Sequence, residues 1–519
     1  MDHALDRRRL LKFGAASAGL AALGLDGRAL AQGASRGTLT IAYPADVPTW
    51  DPNARVLVPV QSIYKCVFDQ PLTQAPDLTP RPALIREWRY LDDSGLKLEL
   101  TFRDDVVFHN GDRLTAEDFR YTFHERPKAP VPEGGRRLDT GFVWRRVRDI
   151  EVQSTTKAVM QFSEVMPSAI PWLYFLASFV VPKAYMERVG LDAFTRQPVG
   201  SGPYRIVEYQ ANARLVLEAF DRYWGGAPAI PRVVFEFVRD ATARVAAMEA
   251  RRVDLALEVP IREAQRLGAI AGLTGRIDPF TDILILQITR NGGFQHDQVR
   301  LAAHHAINKE AISRALFAGQ ARPIPVPAVA GTPGYPAGFE FPFSEERAVA
   351  LLREVGHGPQ NPIAIKLATT NGAFPNDFEV ARAIAQMWRR VGIAAEIEVI
   401  ELSTYQERLR AGTLPEATMY QWGNAAADPE MYGGYLLDPR SIFSAFKSDD
   451  LGRMVQPLLV ETNEQRRNEG YRALHRFAAE HGYTIPLFQG TKTAVHRSDL
   501  NFVKYDNGLI LPQTYSFRS

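Results

Sequence analysis

The residues that could do chemistry are few, and their spacing argues against catalysis. Gly200-Ser201-Gly202-Pro203 is the nearest approach to a G-x-S-x-G nucleophile turn, but Pro203 opposes the helix such a turn must enter. A turn ahead of a strand from Tyr204 to Tyr209 is the expected reading. His304 and His305 are adjacent, so on a helix they diverge by about 100° and cannot share one metal. A pair of half-exposed helix histidines is expected there. Cys66 is the single cysteine and sits among Ile63, Val67 and Phe68, as a buried, inert thiol would. One cysteine excludes an intrachain disulfide and any multi-cysteine metal centre. Asp92-Asp93 and Asp104-Asp105 lie beside turns and read as solvated. The sequence has no G-x-x-x-x-G-K-[ST], no H-E-x-x-H and no complete dinucleotide fingerprint. Binding without turnover is expected, with no catalytic residue, no metal ligand set and no cofactor.

The surrounding segments alternate between strand and helix signals. Thr38–Tyr43 opens as a strand, and Leu96–Phe102 alternates apolar and polar residues as a half-buried strand does. Thr115 is an expected N-cap with Glu117 and Asp118 behind it, and Pro127–Gly135 reads as an exposed loop. Strands are expected over Arg232–Val238, Val253–Val259 and Ile283–Ile288, with Asp240 capping a helix between the first two. Asp297 is expected to cap one long helix carrying Val299, Ala302, Ala306, Ile312 and Leu316. From Ser344 the rhythm is regular: helix to Gly356, strand Ile363–Ala368, helix Asn376–Gly392, strand Ile393–Ile400, helix Ser403–Gly412. That order predicts an α/β lobe. Tyr43 and Trp50 flank the exit of the first strand. Arg290 and Asn291 follow Ile283–Ile288, and Asn371 lies just beyond Ile363–Ala368, at the carboxyl end where open α/β sheets gather ligands. These five are candidate ligand contacts. Arginine there would favour a carboxylate on the ligand.

The chain has 519 residues, 46% hydrophobic and 10% aromatic, enough for large cores in two to four domains or lobes. Lys+Arg is 61 against 59 for Asp+Glu, so no strong field draws nucleic acid. Arg7-Arg8-Arg9-Leu10-Leu11-Lys12 precedes an uncharged run, Phe13–Leu25, and then Ala29-Leu30-Ala31. A basic region, a short apolar run and an A-x-A site make residues 1–31 an export signal, too short to span a bilayer. The arginine pair resembles a twin-arginine signal, with Asp6 and Leu10 where Ser/Thr and Phe are usual. An exported, periplasmic protein is expected.

Several segments, in order, resemble the family 5 extracellular solute-binding proteins of ABC importers, the dipeptide/oligopeptide/nickel-binding class. They are Trp50-Asp51-Pro52; Pro80–Leu84 with Glu87-Trp88; Val107–Phe119; Pro198-Val199-Gly200-Ser201-Gly202-Pro203-Tyr204; Tyr223-Trp224; Asp240–Asp254; and Asp297–Arg300 with Ala306–Glu310. The resemblance implies an α/β fold: a two-lobed periplasmic binding protein (type II, cluster C-like) with an extra subdomain inserted in the first lobe. Residues 37–58, 185–282 and 490–519 would form lobe I, 59–184 the inserted subdomain and 283–489 lobe II. A peptide or related solute would be closed over by hinge motion and passed to an ABC permease of the inner membrane. A monomer is expected. Peptide-binding members place an Asp after Trp-x-x to hold the free amine. The corresponding segment is Trp422-Gly423-Asn424-Ala425-Ala426-Ala427-Asp428-Pro429, with Ala425 at that position. Trp422, Asn424 and Asp428 are candidate contacts, and Asp428 is equally placed as a turn residue or N-cap before Pro429. A solute without a free amine (an opine, an oligosaccharide, a metal chelate) is the alternative ligand. An exported hydrolase is the alternative class, and it would need a nucleophile–base pair that no motif supplies. A binding protein that signals to a receptor would carry the same sequence features.

Overall fold

The computed structural model describes residues 37–55, 58–131 and 137–518. The export-signal reading of residues 1–31 lies outside these, as does part of the 127–135 loop, whose first two residues belong to a helical turn over Arg126–Lys128.

Among the described residues, one mixed sheet of eleven strands organises the fold. In chain order these are β1 (Thr38–Tyr43), β2 (Tyr204–Gln210), β3 (Arg214–Ala219), β4 (Arg232–Phe237), β5 (Leu255–Leu257), β6 (Leu273–Ile288), β7 (Arg322–Pro323), β8 (Ile363–Thr369), β9 (Ile393–Val399), β10 (Ala417–Trp422) and β11 (Thr484–Arg497). Across the sheet they lie β9-β8-β10-β6-β11-β5-β1-β4-β3-β2, with β7 paired to β11. β1 runs parallel to β4 and β5, and β8 runs parallel to β9 and β10. β6 and β11 are antiparallel to each other and run through both halves. A separate four-stranded antiparallel sheet orders Ile85–Tyr90, Lys97–Phe102, Lys157–Phe162 and Val147–Ser154.

Local sequence explains these elements. Ile283 to Leu286 are all buried, as a strand covered on both faces requires. In the helix Asp377–Val391, Val380, Ala381, Ile384, Met387, Trp388 and Val391 share one buried face. Gly392 ends it at φ 106°, and a Cβ there would overlap Gly358. Asp377 gathers the preceding loop: its carboxylate accepts from Thr370 Oγ1 and from the backbone N–H of Gly372, Ala373 and Phe374. The expected single helix from Asp297 is two, Asp297–His305 and Lys309–Phe317, because Asn308 caps a new start by accepting from Ala311 N at 2.9 Å. His304 is buried rather than half-exposed: it stacks on Phe341 with 3.6 Å between ring centroids.

Three large apolar clusters follow. One fills the second half around β6, β8 and β10. One lies under the four-stranded sheet, and Ala425, Ala426 and Met431 from the second half pack into it. One fills the space around β1, β4 and the helix Val58–Val67.

Candidate functional site

The carboxyl ends of parallel strands from both halves point at the place where β6 and β11 cross. In one half β5 ends at Leu257, opposite Ala494 near the middle of β11. In the other, β10 ends at Trp422, opposite Ile283 near the middle of β6. Open α/β sheets gather ligands at such ends. Between Pro279 and Ile283 the β6–β11 register shifts, freeing Phe280, Thr281 and Asp282 from the ladder. Pro279 supplies no N–H there. Gly490 faces it from β11, and a Cβ on Gly490 would stand 2.6 Å from the Phe280 ring.

Beside this crossing is a cavity of about 690 Å³. Thr281 and Gln489 line it from the crossing strands, Arg322, Asp428 and Arg467 from the second half, and Tyr174 from the segment that carries the four-stranded sheet. Thr281 is 3% exposed and its hydroxyl has no hydrogen-bond partner. Leu78 (φ 67°) and Ala427 (φ 57°), non-glycine residues held left-handed, also line the cavity. Backbone strain of this kind gathers where surrounding structure over-determines a site.

Asp428 and Arg467 of the cavity wall form a buried ion triad with Glu430 behind it. Asp428 caps the helix Pro429–Leu436 by accepting from Glu430 N at 2.9 Å. Arg467 grips Asp428 with two bonds of 2.8 Å and reaches Glu430 at 3.0 Å. Burial pushes the Glu430 carboxyl up, while Arg467 pulls it down. The triad fixes the 428–430 turn against the helix Glu464–Glu480.

The structure brings Trp422, Asn424 and Asp428 to the crossing. Trp422 is half-buried, donates from Nε1 to Met431 O at 2.6 Å and packs against Phe443. Asn424 is fully buried, and its Nδ2 donates to Asp428 O at 3.0 Å, closing the loop. Ala425 is buried, and its carbonyl accepts from Asn507 at 3.3 Å. Tyr43 stands on the opposite bank, buried against Phe235, beside a small hollow that Glu258, Phe280 and Lys492 also line. Asn371 is exposed beyond the end of β8.

Three residues are elsewhere. Trp50 is 4% exposed, edge-on to Tyr64 and Tyr209, and belongs to the core around β1. Arg290 and Asn291 lie at the far end of β6, since Ile288 pairs with Ala417 at the amino end of β10. β6 begins in one half and runs through the crossing, so its carboxyl end points away from it. Both residues are exposed there.

Sequence reasoning missed Thr281, Asp282, Gln489 and Arg467. Asp282 is 8% exposed, accepts from Gln421 Nε2 at 3.1 Å and takes a further bond from the Asn424 backbone. Burial pushes its carboxyl up to about 6, against the pull of Lys492 and of those bonds. An acid directly before the apolar run Ile283–Leu286 was the available signal.

The motif Pro198–Tyr204 holds the scaffold. A Cβ on Gly200 or Gly202 would run into the Val67 backbone at the end of the helix Val58–Val67. Ser201 Oγ donates to Asp69 at 3.0 Å, as do Trp224 Nε1 at 2.9 Å and the Tyr223 hydroxyl at 3.2 Å. Ser201 is fully buried at this junction and serves as no exposed nucleophile.

Comparison with known proteins places this geometry. Residues 79–443 match the model of the bacterial extracellular solute-binding proteins, family 5. The chain is 25% identical over 434 residues to Di/tripeptide-binding protein 2 of Pseudomonas aeruginosa, covering 78% of this chain and 80% of that one. It is 23% identical over 439 residues to Heme-binding protein A of Haemophilus influenzae, covering 78% of each. The solved structure of HbpA2 from Haemophilus parasuis superposes with a TM-score of 0.82 at 19% identity, over 93% of this chain and all of that one. With two sheet halves joined by crossing strands and a family match over most of its length, the chain belongs to the family 5 bacterial extracellular solute-binding proteins, a non-catalytic family.

Proposed function

We propose that this protein captures a peptide or peptide-like solute at the crossing, closes over it by hinge motion, and delivers it to an ABC permease. The observation that carries this reading is the convergence of strand ends from both halves on β6 and β11, beside a cavity of about 690 Å³. The proposed lobes are 37–58 with 185–282 and 490–519, and 283–489, with 59–184 as the inserted subdomain. The register shift at 279–283 supports a hinge there. Solute contacts made only in the closed state would shift the open–closed equilibrium. The peptide class rests on the relative named for di- and tripeptides. Export through residues 1–31 by the twin-arginine route, residence in the periplasm and a monomeric state complete the proposal.

A thermal-shift screen tests it. A bound peptide at 100 times its Kd stabilises the protein by about 2.7 kcal/mol. Shifts confined to haem or nickel–histidine complexes would reject the peptide class and keep solute capture. A second reading, a solute without a free amine, is favoured by Ala425 at the position where the resemblance expects an amine-binding carboxylate.

A further inference from the structure

Two consecutive backbone carbonyls of the second half are paired only across the boundary with the rest of the molecule. Ala425 and Ala426 are buried, and neither carbonyl accepts a backbone N–H from its own half among the described residues. A buried carbonyl needs a donor. Asn507 Nδ2 donates to Ala425 O at 3.3 Å. Gln74 Nε2 donates to Ala426 O at 3.4 Å, and the Tyr174 hydroxyl donates to the same atom at 3.5 Å. Asn507 belongs to the C-terminal segment, whereas Gln74 and Tyr174 belong to the segment that carries the four-stranded sheet. All three side chains are buried. The donors are also tied to one another, since the second amide hydrogen of Asn507 goes to Gln74 Oε1 at 3.3 Å.

Both sides of this contact are braced. On the donor side, residues 504–510 cross the molecule as a strap. Asp506 N donates to Pro76 O at 2.9 Å, Asp506 O accepts from Thr281 N at 3.0 Å, and Ile510 N donates to Ser62 Oγ at 2.9 Å. Leu509 N donates to Asn507 Oδ1 at 3.2 Å, which orients the amide. On the acceptor side, Asn424 bridges to Asp428 O, Ala427 is held left-handed, and Arg467 grips Asp428. The bonds between the two sides are 3.3 to 3.5 Å long, in the range where hydrogen bonds weaken. They should part more readily than the bonds that brace each side. Tyr174, Ala426 and Asp506 line the large cavity, so the contact is part of its wall.

We propose that Asn507, Gln74 and Tyr174 form a clasp that holds the closed arrangement and opens when the halves part to admit solute. The proposal rests on the hinge-closure reading and adds to closure a component made by protein atoms alone. Apolar burial is non-directional, so the packing of Ala425 and Ala426 does not by itself select one docked position. Three donors aimed at two carbonyls do. A clasp that favours closure raises the apparent affinity for any solute that binds the closed form, in proportion to the closed fraction.

The test uses the mature full chain labelled at Gln210→Cys and Glu396→Cys, on the strands at opposite edges of the eleven-stranded sheet. Cys66 is buried and stays unlabelled. Single-molecule energy transfer reads the closed fraction. Asn507→Asp keeps the acceptor for Leu509 N but turns an oxygen on Ala425 O, and without solute its closed-to-open ratio should fall at least about 5-fold below the wild type. Gln74→Met removes one donor, adds no charge and should shift the ratio in the same direction. It also covers the case in which Asn507→Asp fails to fold. A fall in the ratio of every folded variant supports the clasp, and any folded variant that keeps the wild-type ratio overturns it. A mixed library of di- and tripeptides, added to the wild type, reads hinge closure separately. If the wild type closes further on the library while the variants match it without solute, the clasp fails and hinge closure stands. One distance common to all three proteins, unmoved by the library, overturns both.

Discussion

A carboxylate removed from water must find donors or positive charge, and Asp282 and the Asp428–Glu430–Arg467 triad represent the two outcomes. For Asp282 the folded value of about 6 exceeds its ordinary 3.8. An acid raised on folding binds its proton more tightly in the native state, so it costs nothing below about pH 4. Stability then falls as pH climbs through about 6. The difference amounts to about 3 kcal/mol at most, at 1.36 kcal/mol per pKa unit. Asp282→Asn should therefore gain stability over the wild type above pH 6 and lose that gain by pH 4, in urea unfolding followed across this range. The triad predicts the reverse effect. Arg467→Met leaves two buried carboxylates facing each other without their cation, which should cost about 3–5 kcal/mol in the same assay. Asp282 showed in the sequence only as an acid directly before the apolar run Ile283–Leu286, and Arg467 gave no signal at all. Arg467 reads as one more charge in Glu464–Glu480, a helix with several exposed ones, and its burial comes from contact with a turn 39 residues away.

At the scale of elements, local signals carried most of the fold. Asp240, Ser344 and Gly392 mark helix ends as their side chains or φ angles dictate. The crossing strands were the gap. The first half of β6 contains Gly275, Asp278 and Pro279, and β11 contains Pro486 and Gly490. These residues break strand patterns in isolation. Long-range pairing of β6 with β11 overrides them, and the same residues give the crossing its irregular register. The candidate site was legible at Trp422–Asp428 through its motif and illegible where topology decides. Which end of β6 faces the crossing depends on its antiparallel partner β10. That is why Arg290 and Asn291 were misplaced. The 198–204 motif makes an element-level prediction. Gly200→Ala forces a methyl into the Val67 carbonyl, a backbone atom that cannot swing aside. Separating the helix Val58–Val67 from the turn before β2 should cost about 3 kcal/mol or more. A fall in melting temperature of the purified variant, or its failure to accumulate folded, would register this.

At the scale of the whole molecule, closure depends on what holds the two sides of the crossing together without solute. Tyr435 of the second half meets Trp172 at 6.4 Å and Phe142 at 6.2 Å between ring centroids, both from the segment that carries the four-stranded sheet. Ala425 and Ala426 also pack into that segment's core. Edge-on aromatic pairs contribute about 0.5–1.5 kcal/mol each beyond burial. If the proposed closed form keeps these contacts and the open form breaks them, two such pairs would favour closure by about 1–3 kcal/mol. Phe142 is 42% exposed, so its share falls toward the lower end. Tyr435→Ala removes both pairs, and Tyr435 is not among the residues that line the cavity. If these rings stabilise closure, the variant should populate the open form more. Its solute-free radius of gyration in solution scattering should rise, and saturating solute should return it to the wild-type bound value. Solute affinity should fall by the factor through which the closed population falls, about 5- to 100-fold, because only the competent fraction binds. An unchanged radius together with wild-type affinity would show that these rings do not set the closed state.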